Sequence, residues 1–237
     1  MTSASFPVVI FLVTAMVLSV WRRKLTLVAA LVGGATGWII FWGGGLSSLL
    51  CLTAFFLLGT LATSWKRKEK NSIDREGAGA EKRKTGQVLA NAGVAALLAL
   101  AALFYPGQAS LFHLMIAGSF ASAAADTLSS ELGMVYGRRF YNCLSWKKED
   151  KGPDGVVSWE GTLIGLAGAG LIAGIYVIGG NSGRGRDFLA IILAGALGNF
   201  SDSMLGATLE KKGWLGNDGV NFTSTAIAAL VTLVVVI

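Results

Sequence analysis

Apolar runs of about 18 residues recur through nearly the whole chain, and at ~1.5 Å rise per residue each is long enough to cross a hydrocarbon layer ~30 Å thick. We read eight: Phe6 to Val20, Leu25 to Trp42, Leu46 to Thr63, Val88 to Phe104, Ala109 to Asp126, Gly161 to Gly179, Asp187 to Gly206, and Val220 to Ile237. Unpaired backbone groups are not tolerated in lipid, and barrel strands would show a ten-residue alternating pattern instead, so these runs predict helices. The expected fold class is all-α: a polytopic integral membrane protein with about eight transmembrane helices. Only 14% of residues are charged, and no stretch is both long and polar enough for a separate soluble domain. One transmembrane domain over residues 1–237 is therefore expected, with N-terminal hairpins (1–64), a basic loop (65–87) and a remainder (88–237) holding the unusual polar residues.

The 20 Lys and Arg residues divide very unevenly between the two sets of connections. All but Arg184 and Arg186 fall after the first, third, fifth and seventh segments. The positive-inside rule puts those four connections in the cytosol and both termini outside, the expected setting being a prokaryotic cell membrane. The net charge of +6 then reflects topology, and no nucleic-acid partner is expected. Arg22, Arg23 and Lys24 follow the first apolar run instead of preceding it, so that run is read as a retained helix and not a cleavable signal. The lone cysteines, Cys51 in a segment and Cys143 in a loop, give no disulfide framework.

Gly33 and Gly37 predict close helix packing, and Gly43-Gly44-Gly45 a tight turn between the second and third segments. The clusters Lys66-Arg67-Lys68 and Lys82-Arg83-Lys84 suit anionic lipid head groups. Lys84 also leads into Gln87 and Asn91, which share one face of the fourth segment inside apolar sequence.

The fifth segment carries Gly118, Ser122, Asp126 and Ser130 at intervals of four, a small polar stripe ending in a carboxylate. An Asp within a membrane segment costs ~2.5–3.5 kcal/mol on insertion scales, so it calls for a partner or a function. Glu131 stands about 140° from Asp126 on a continuous helix, so the two do not share a metal unless the helix unwinds. Asp202 is the better partner, because the seventh segment repeats the pattern with Gly195, Asn199, Asp202 and Gly206. Each of these segments is followed by a loop and then Asp-Gly-Val, at Asp154-Gly155-Val156 and Asp218-Gly219-Val220. This weak helix-pair repeat would bring Asp126 and Asp202 to one depth.

The sixth segment opens Ser158-Trp-Glu-Gly161-Thr162, where free N–H groups and a positive dipole end suit an anion. Lys147, Lys148 and Lys151 precede it, making a candidate phosphate cradle. No Walker motif, Cys/His cluster or Gly-x-Ser-x-Gly elbow occurs, and His113 sits alone near the outer end of its segment.

These motifs resemble those of the phytyl-phosphate kinase family of the vitamin E pathway, with its prokaryotic and transmembrane protein 19-like relatives. The matching stretches are Gly86 to Gly93, Ala125 to Gly133, Gly155 to Ser158 with Gly161 to Leu163, Asp202 to Thr208, and Asn217 to Phe222 with Ser224. Leu128 stands where relatives usually have Trp, and Pro153-Asp154 replaces a more usual Thr-Asn.

The resemblance implies phosphorylation of an isoprenyl monophosphate, of phytyl or geranylgeranyl type, to the diphosphate, with CTP as donor. Phosphoryl transfer generally uses Mg²⁺ and basic side chains to offset charge. On that reading Asp126 and Asp202 hold the metal, and Glu131 is a further ligand or orienting group. Lys84, Lys147, Lys148, Lys151, Gly155, Ser158, Gly161 and Thr162 hold the triphosphate. Gln87, Asn91, Ser130, Asn199, Ser203, Asn217, Asp218 and Asn221 line the site, while the prenyl tail lies between helices among membrane lipids. Two other readings stay open: a transporter or cation channel using the same carboxylates, and a lipid-phosphate cytidylyltransferase. The polar residues cluster toward the cytosolic ends, which weighs against a continuous ion path. Oligomeric state is not legible in the sequence.

Overall fold

A chain in lipid must pair its backbone polar groups internally, and helices do this segment by segment. The structure, a computed structural model, describes residues 5–71, 82–180 and 184–237. Its helices are α1 (Ser5–Trp21), α2 (Leu27–Ser64), a short α3 (Arg67–Asn71), α4 (Thr85–Phe104), α5 (Ala109–Tyr136), α6 (Trp159–Ile178), α7 (Arg184–Leu205) and α8 (Asn217–Val236). The acidic, Gly/Ala-containing middle of the basic loop lies outside the described residues.

Among the described residues, six helices are long and apolar enough to cross a membrane, against the eight expected from the sequence. α1, at 17 residues, is shorter than the rest. α2, at 38 residues, combines the second and third segments and breaks at Gly45, whose φ of 73° lies in the left-handed region. A straight helix would separate Gly37 from Leu49 by about 18 Å. A methyl group at Gly37 would instead touch both Leu49 and Leu52, so α2 is a hairpin of two arms joined at Gly45.

Close to the same turn, a Cβ at Gly43 would lie 1.9 Å from the Ala99 carbonyl oxygen, so α2 and α4 meet backbone to backbone. Gly43→Ala is accordingly expected to lower the unfolding temperature in detergent by more than about 4 °C. Gly45→Ala, with open space around it and only the backbone angle strained, is expected to cost less. Equal shifts in a thermal melt would contradict the close approach.

Among the described residues the regular structure is helical apart from one small hairpin between α5 and α6, an addition to the expected all-α architecture. Strand β1 (Phe140–Asn142) pairs antiparallel with β2 (Val156–Ser158), Phe140 opposite Ser158. Short aromatic and β-branched stretches suit such a pairing. Gly155, with φ 78°, lets the hairpin lie on the end of α7, since a Cβ there would come within 2.3 Å of Ala207 Cβ.

α5 is the central helix, with Ala117, Ser119, Ala121, Ala123, Ala124 and Ala125 almost wholly buried. Its small side chains allow α6, α7 and α8 to approach closely. The glycine-serine stripe of α5 meets the matching stripe of α7: a Cβ at Gly195 would touch Ala121, and one at Gly198 would touch Ser122. Contact residues rise together along both helices, so α5 and α7 run parallel and carry their aspartates to the same end. The connections after α1, α2, α5 and α7 gather there as well. Arg83 pairs with Lys24 and Thr26 through the backbone, and Trp65 Nε1 donates to the Tyr136 hydroxyl at 2.8 Å.

Candidate active site

The parallel stripes of α5 and α7 end on an acid pair. Asp126 and Asp202 bring their carboxyl groups within hydrogen-bonding reach of each other. The Ser224 hydroxyl of α8 donates to Asp202 Oδ2 at 3.0 Å. Three residues beyond Asp126, Ser129 donates to Asn199 Oδ1 at 3.1 Å and so ties α5 to α7 again.

Asp126, Asp202, Ser129 and Asn199 line a cavity of about 220 Å³ that also includes Ser130, Gly155, Ser158, Gly161, Thr162, Ser203 and Asn217. Ser158 caps α6: its hydroxyl oxygen accepts from Gly161 N at 3.1 Å, while Thr162 donates to the Ser158 carbonyl at 3.0 Å. The opening of α6 therefore faces the acid pair with its backbone positioned by its own side chains. Within the cavity, Gly155 has a packing role in seating the hairpin.

Two more carboxylates, Asp154 from the hairpin and Glu210 from the π-helical turn (Gly206–Glu210) after α7, also line the cavity. Both act electrostatically on Asp202 or are acted on by it. Glu210 was legible as the end of the Asp202, Gly206, Glu210 series at intervals of four, and Ser129 as a polar neighbour of Asp126 one turn on; the sequence reading used neither. The two Asp-Gly-Val stretches differ in position. Asp154 faces the acid cavity, whereas Asp218 lies against Gly86 at the start of α4.

Several expected site residues lie elsewhere. Lys147, Lys148 and Lys151 are exposed on the hairpin and do not line the cavity. Asn142 N donates to the Lys147 carbonyl and Lys148 bridges to Tyr141 through the backbone, and all three lysines are exposed to solvent. Glu131 forms an ion pair with Lys70, whose ammonium also donates to the carbonyls of Ala62 and Thr63 at the end of α2. The 140° offset from Asp126 turns Glu131 toward α2 and α3, away from the cavity. Lys84 precedes the first turn of α4, where its backbone N–H donates to Gln87 Oε1 at 3.0 Å. Gln87 and Asn91 line a different, apolar cavity, and Asn221 donates to Asn217 Oδ1 at 2.9 Å without lining either one.

Ion pairs among the described residues are Lys66–Glu69 and Lys70–Glu131, so no basic side chain among them pairs with the acid pair. Among the same residues no three His, Cys, Asp or Glu side chains are grouped closely enough to hold a metal together. A hard cation here would take two carboxylates and draw its other oxygens from elsewhere. That donor set suits Mg²⁺, which keeps several waters and commonly completes its shell with substrate phosphates.

Near the cavity, the buried Cys143 donates its thiol to the Ser203 carbonyl at 3.4 Å. Burial raises its pKa, which disfavours the thiolate. Cys143 is therefore expected to react with maleimide at pH 7.5 at least about tenfold more slowly than an unfolded control. Since the folded-state pKa is the raised one, stability is held below the ordinary thiol pKa and falls as pH climbs toward the folded value. A Cys143 that labels as fast as free thiol would contradict this packing.

Comparison with known proteins agrees with the membrane architecture. The family model described as integral membrane protein DUF92 matches residues 10–229. The chain belongs to the DUF92 family. A chloroplastic protein, VTE6 of Arabidopsis thaliana, is 30% identical over 86% of this DUF92 chain, which spans only 62% of that relative's length. An uncharacterized membrane protein of Methanocaldococcus jannaschii is 31% identical, covering 84% of this chain and 80% of its own. Another, of Synechocystis, is 34% identical over 82% and 76% respectively. No solved structure matches.

Proposed function

We propose that this DUF92 protein transfers a phosphoryl group from a nucleoside triphosphate, CTP by the resemblance of its motifs, to an isoprenyl monophosphate at the membrane surface. The observation that carries the reading is the Asp126–Asp202 pair, without a basic partner among the described residues and facing the capped N-terminus of α6 across one polar cavity. Such an acidic site attracts a nucleotide as its metal complex and repels the free anion.

Asp126 and Asp202 would hold Mg²⁺, which when bound supplies charge neutralisation for the transferring phosphoryl group. The N–H groups at the start of α6 lie where a helix dipole favours a phosphate. Asn199, Ser129 and Ser130 offer uncharged hydrogen bonds that orient oxygens without adding to the repulsion. An oxygen of the acceptor monophosphate attacks the terminal phosphorus, the bond from that phosphorus to the bridging oxygen breaks, and CDP leaves. The attacking oxygen is already anionic, so no strong general base is required. Asp154 and Glu210 at the same cavity are further candidates for positioning the nucleotide's metal shell. The basic end of the bundle would face the cytosol by the positive-inside rule.

The test is purified protein with CTP labelled in its terminal phosphate, Mg²⁺ and a series of prenyl monophosphates. Labelled prenyl diphosphate with CDP is expected. A CDP-lipid with pyrophosphate would mean cytidylyl transfer, and ion flux in liposomes without turnover would mean a transport protein.

A further inference from the structure

A second cavity, about 120 Å³, lies between α1, the two arms of α2 and α4, and shares no lining residue with the acid cavity. Its walls are mostly apolar, with Leu12, Met16, Leu52 and Phe56 around the small face of Gly33 and Gly34. The main polar groups, Arg83, Gln87 and Asn91, collect toward the end beside the basic connections. Between Gln87 and Ala92 the cavity follows α4 for about 8 Å, enough for the first part of a hydrocarbon chain.

Two features at the polar end are not accounted for by packing. Asn91 Nδ2 donates to the Gln87 carbonyl at 2.9 Å, which fixes the amide and leaves its buried Oδ1 without a hydrogen-bond partner. Buried acceptors are rarely left unpaired. The Arg83 guanidinium lies over Gly59 and beside Thr127, where burial works against its positive charge and Glu131 only partly compensates. Thr127 and Glu131 share the face of α5 turned toward α2, so this end adjoins the acid-bearing helix on a different side from Asp126.

We propose that this cavity holds the tail of a single-chain isoprenyl phosphate monoester, with the phosphate at Arg83 and a P–OH proton donated to Asn91 Oδ1. The proposal rests on the function above for the identity of the lipid, and the cavity is a holding site: the head leaves Arg83 to reach the acid cavity for transfer. Charge complementarity selects an anionic head. The unpaired acceptor selects a head that also has a proton to donate, which a singly protonated phosphate monoester provides at phosphorus and a phosphodiester does not. The small apolar cavity selects one chain over the two of a bilayer phospholipid.

A Cβ at Gly33 would meet only Val88, at 3.8 Å, so Gly33→Leu fills the cavity without forcing the helices apart. Equilibrium binding of labelled geranylgeranyl monophosphate to the full-length protein in detergent, without nucleotide or metal, provides the test. Gly33→Leu and Arg83→Gln are each expected to weaken binding at least about tenfold, converting to a loss of ~1.4 kcal/mol or more. Excess dioleoyl phosphatidylglycerol is expected not to displace the ligand. Wild-type affinity in both variants, or equal competition by the diester, would overturn the proposal.

Should Arg83→Gln fail to fold, a diazirine-tailed monophosphate cross-linked to the wild type decides the question. Labels on α1 and α4 peptides support the site, and labels confined to other helices overturn it. Because turnover does not enter, a protein that binds the lipid in this cavity and never phosphorylates it removes the kinase reading alone. Phosphorylation with unchanged affinity in both variants removes the cavity assignment alone.

Discussion

Asp202→Asn and Asp126→Asn are each expected to reduce phosphoryl transfer on the order of 10³-fold, because each removes one of two carboxylates assigned to the metal. The same substitutions are expected to raise the unfolding temperature by about 4 °C. The two buried carboxyl groups lie within hydrogen-bonding reach of each other and have no basic partner among the described residues, so the resting protein bears the desolvation cost of an ionisable pair that shares a proton. Asparagine keeps the shape and removes one buried ionisable group. A loss of activity with a loss of stability would point to a structural role, and retained activity would remove the pair from the chemistry. Thermal melts and initial rates on the same preparations separate these outcomes.

The second large effect concerns Lys70. Its ammonium is nearly enclosed, pairing with Glu131 of α5 and donating to the Ala62 and Thr63 carbonyls at the end of α2. Lys70→Met leaves Glu131 without its ion-pair partner and takes the ammonium away from the Ala62 and Thr63 carbonyls, and breaking a buried pair from one side typically costs about 3–5 kcal/mol. Since Glu131 keeps some exposure, the lower end of that range is expected. The double variant Lys70→Met with Glu131→Leu is expected to recover part of the loss, because neither member of the pair is then left alone, while Arg83 loses the compensating charge of Glu131. Denaturant or thermal unfolding of the three variants measures this directly. An unaltered Lys70→Met protein would show that the latch between α3 and α5 is dispensable.

Much of the architecture could be read from the chain because lipid restricts the choices. Apolar length predicted the spans, Gly43 to Gly45 predicted the turn now seen at Gly45, and the four-residue spacing in the fifth and seventh segments predicted that α5 and α7 meet along small faces. The same spacing brought Asp126 and Asp202 together across 76 positions of sequence. What stayed hidden depended on directions that only packing fixes. Lys147, Lys148 and Lys151 look like a phosphate cradle by proximity in the chain, yet strand pairing between Phe140–Asn142 and Val156–Ser158 leaves them outside the cavity. Glu131 looked like a second site carboxylate, but its partner is Lys70, 61 residues away and on another face of α5. Arg83, Gln87 and Asn91 appeared as a basic cluster leading into a polar face; their shared apolar cavity required α1 and both arms of α2 to be in place.

The central claim is that the aspartates of α5 and α7 hold one divalent cation for a nucleotide. Its most direct test is electron paramagnetic resonance of Mn²⁺, substituted for Mg²⁺, added to the purified protein with a non-hydrolysable CTP analogue. One tightly bound Mn²⁺ per wild-type chain, absent from both Asp126→Asn and Asp202→Asn, is the predicted result. Undiminished Mn²⁺ binding in those two variants would contradict the account.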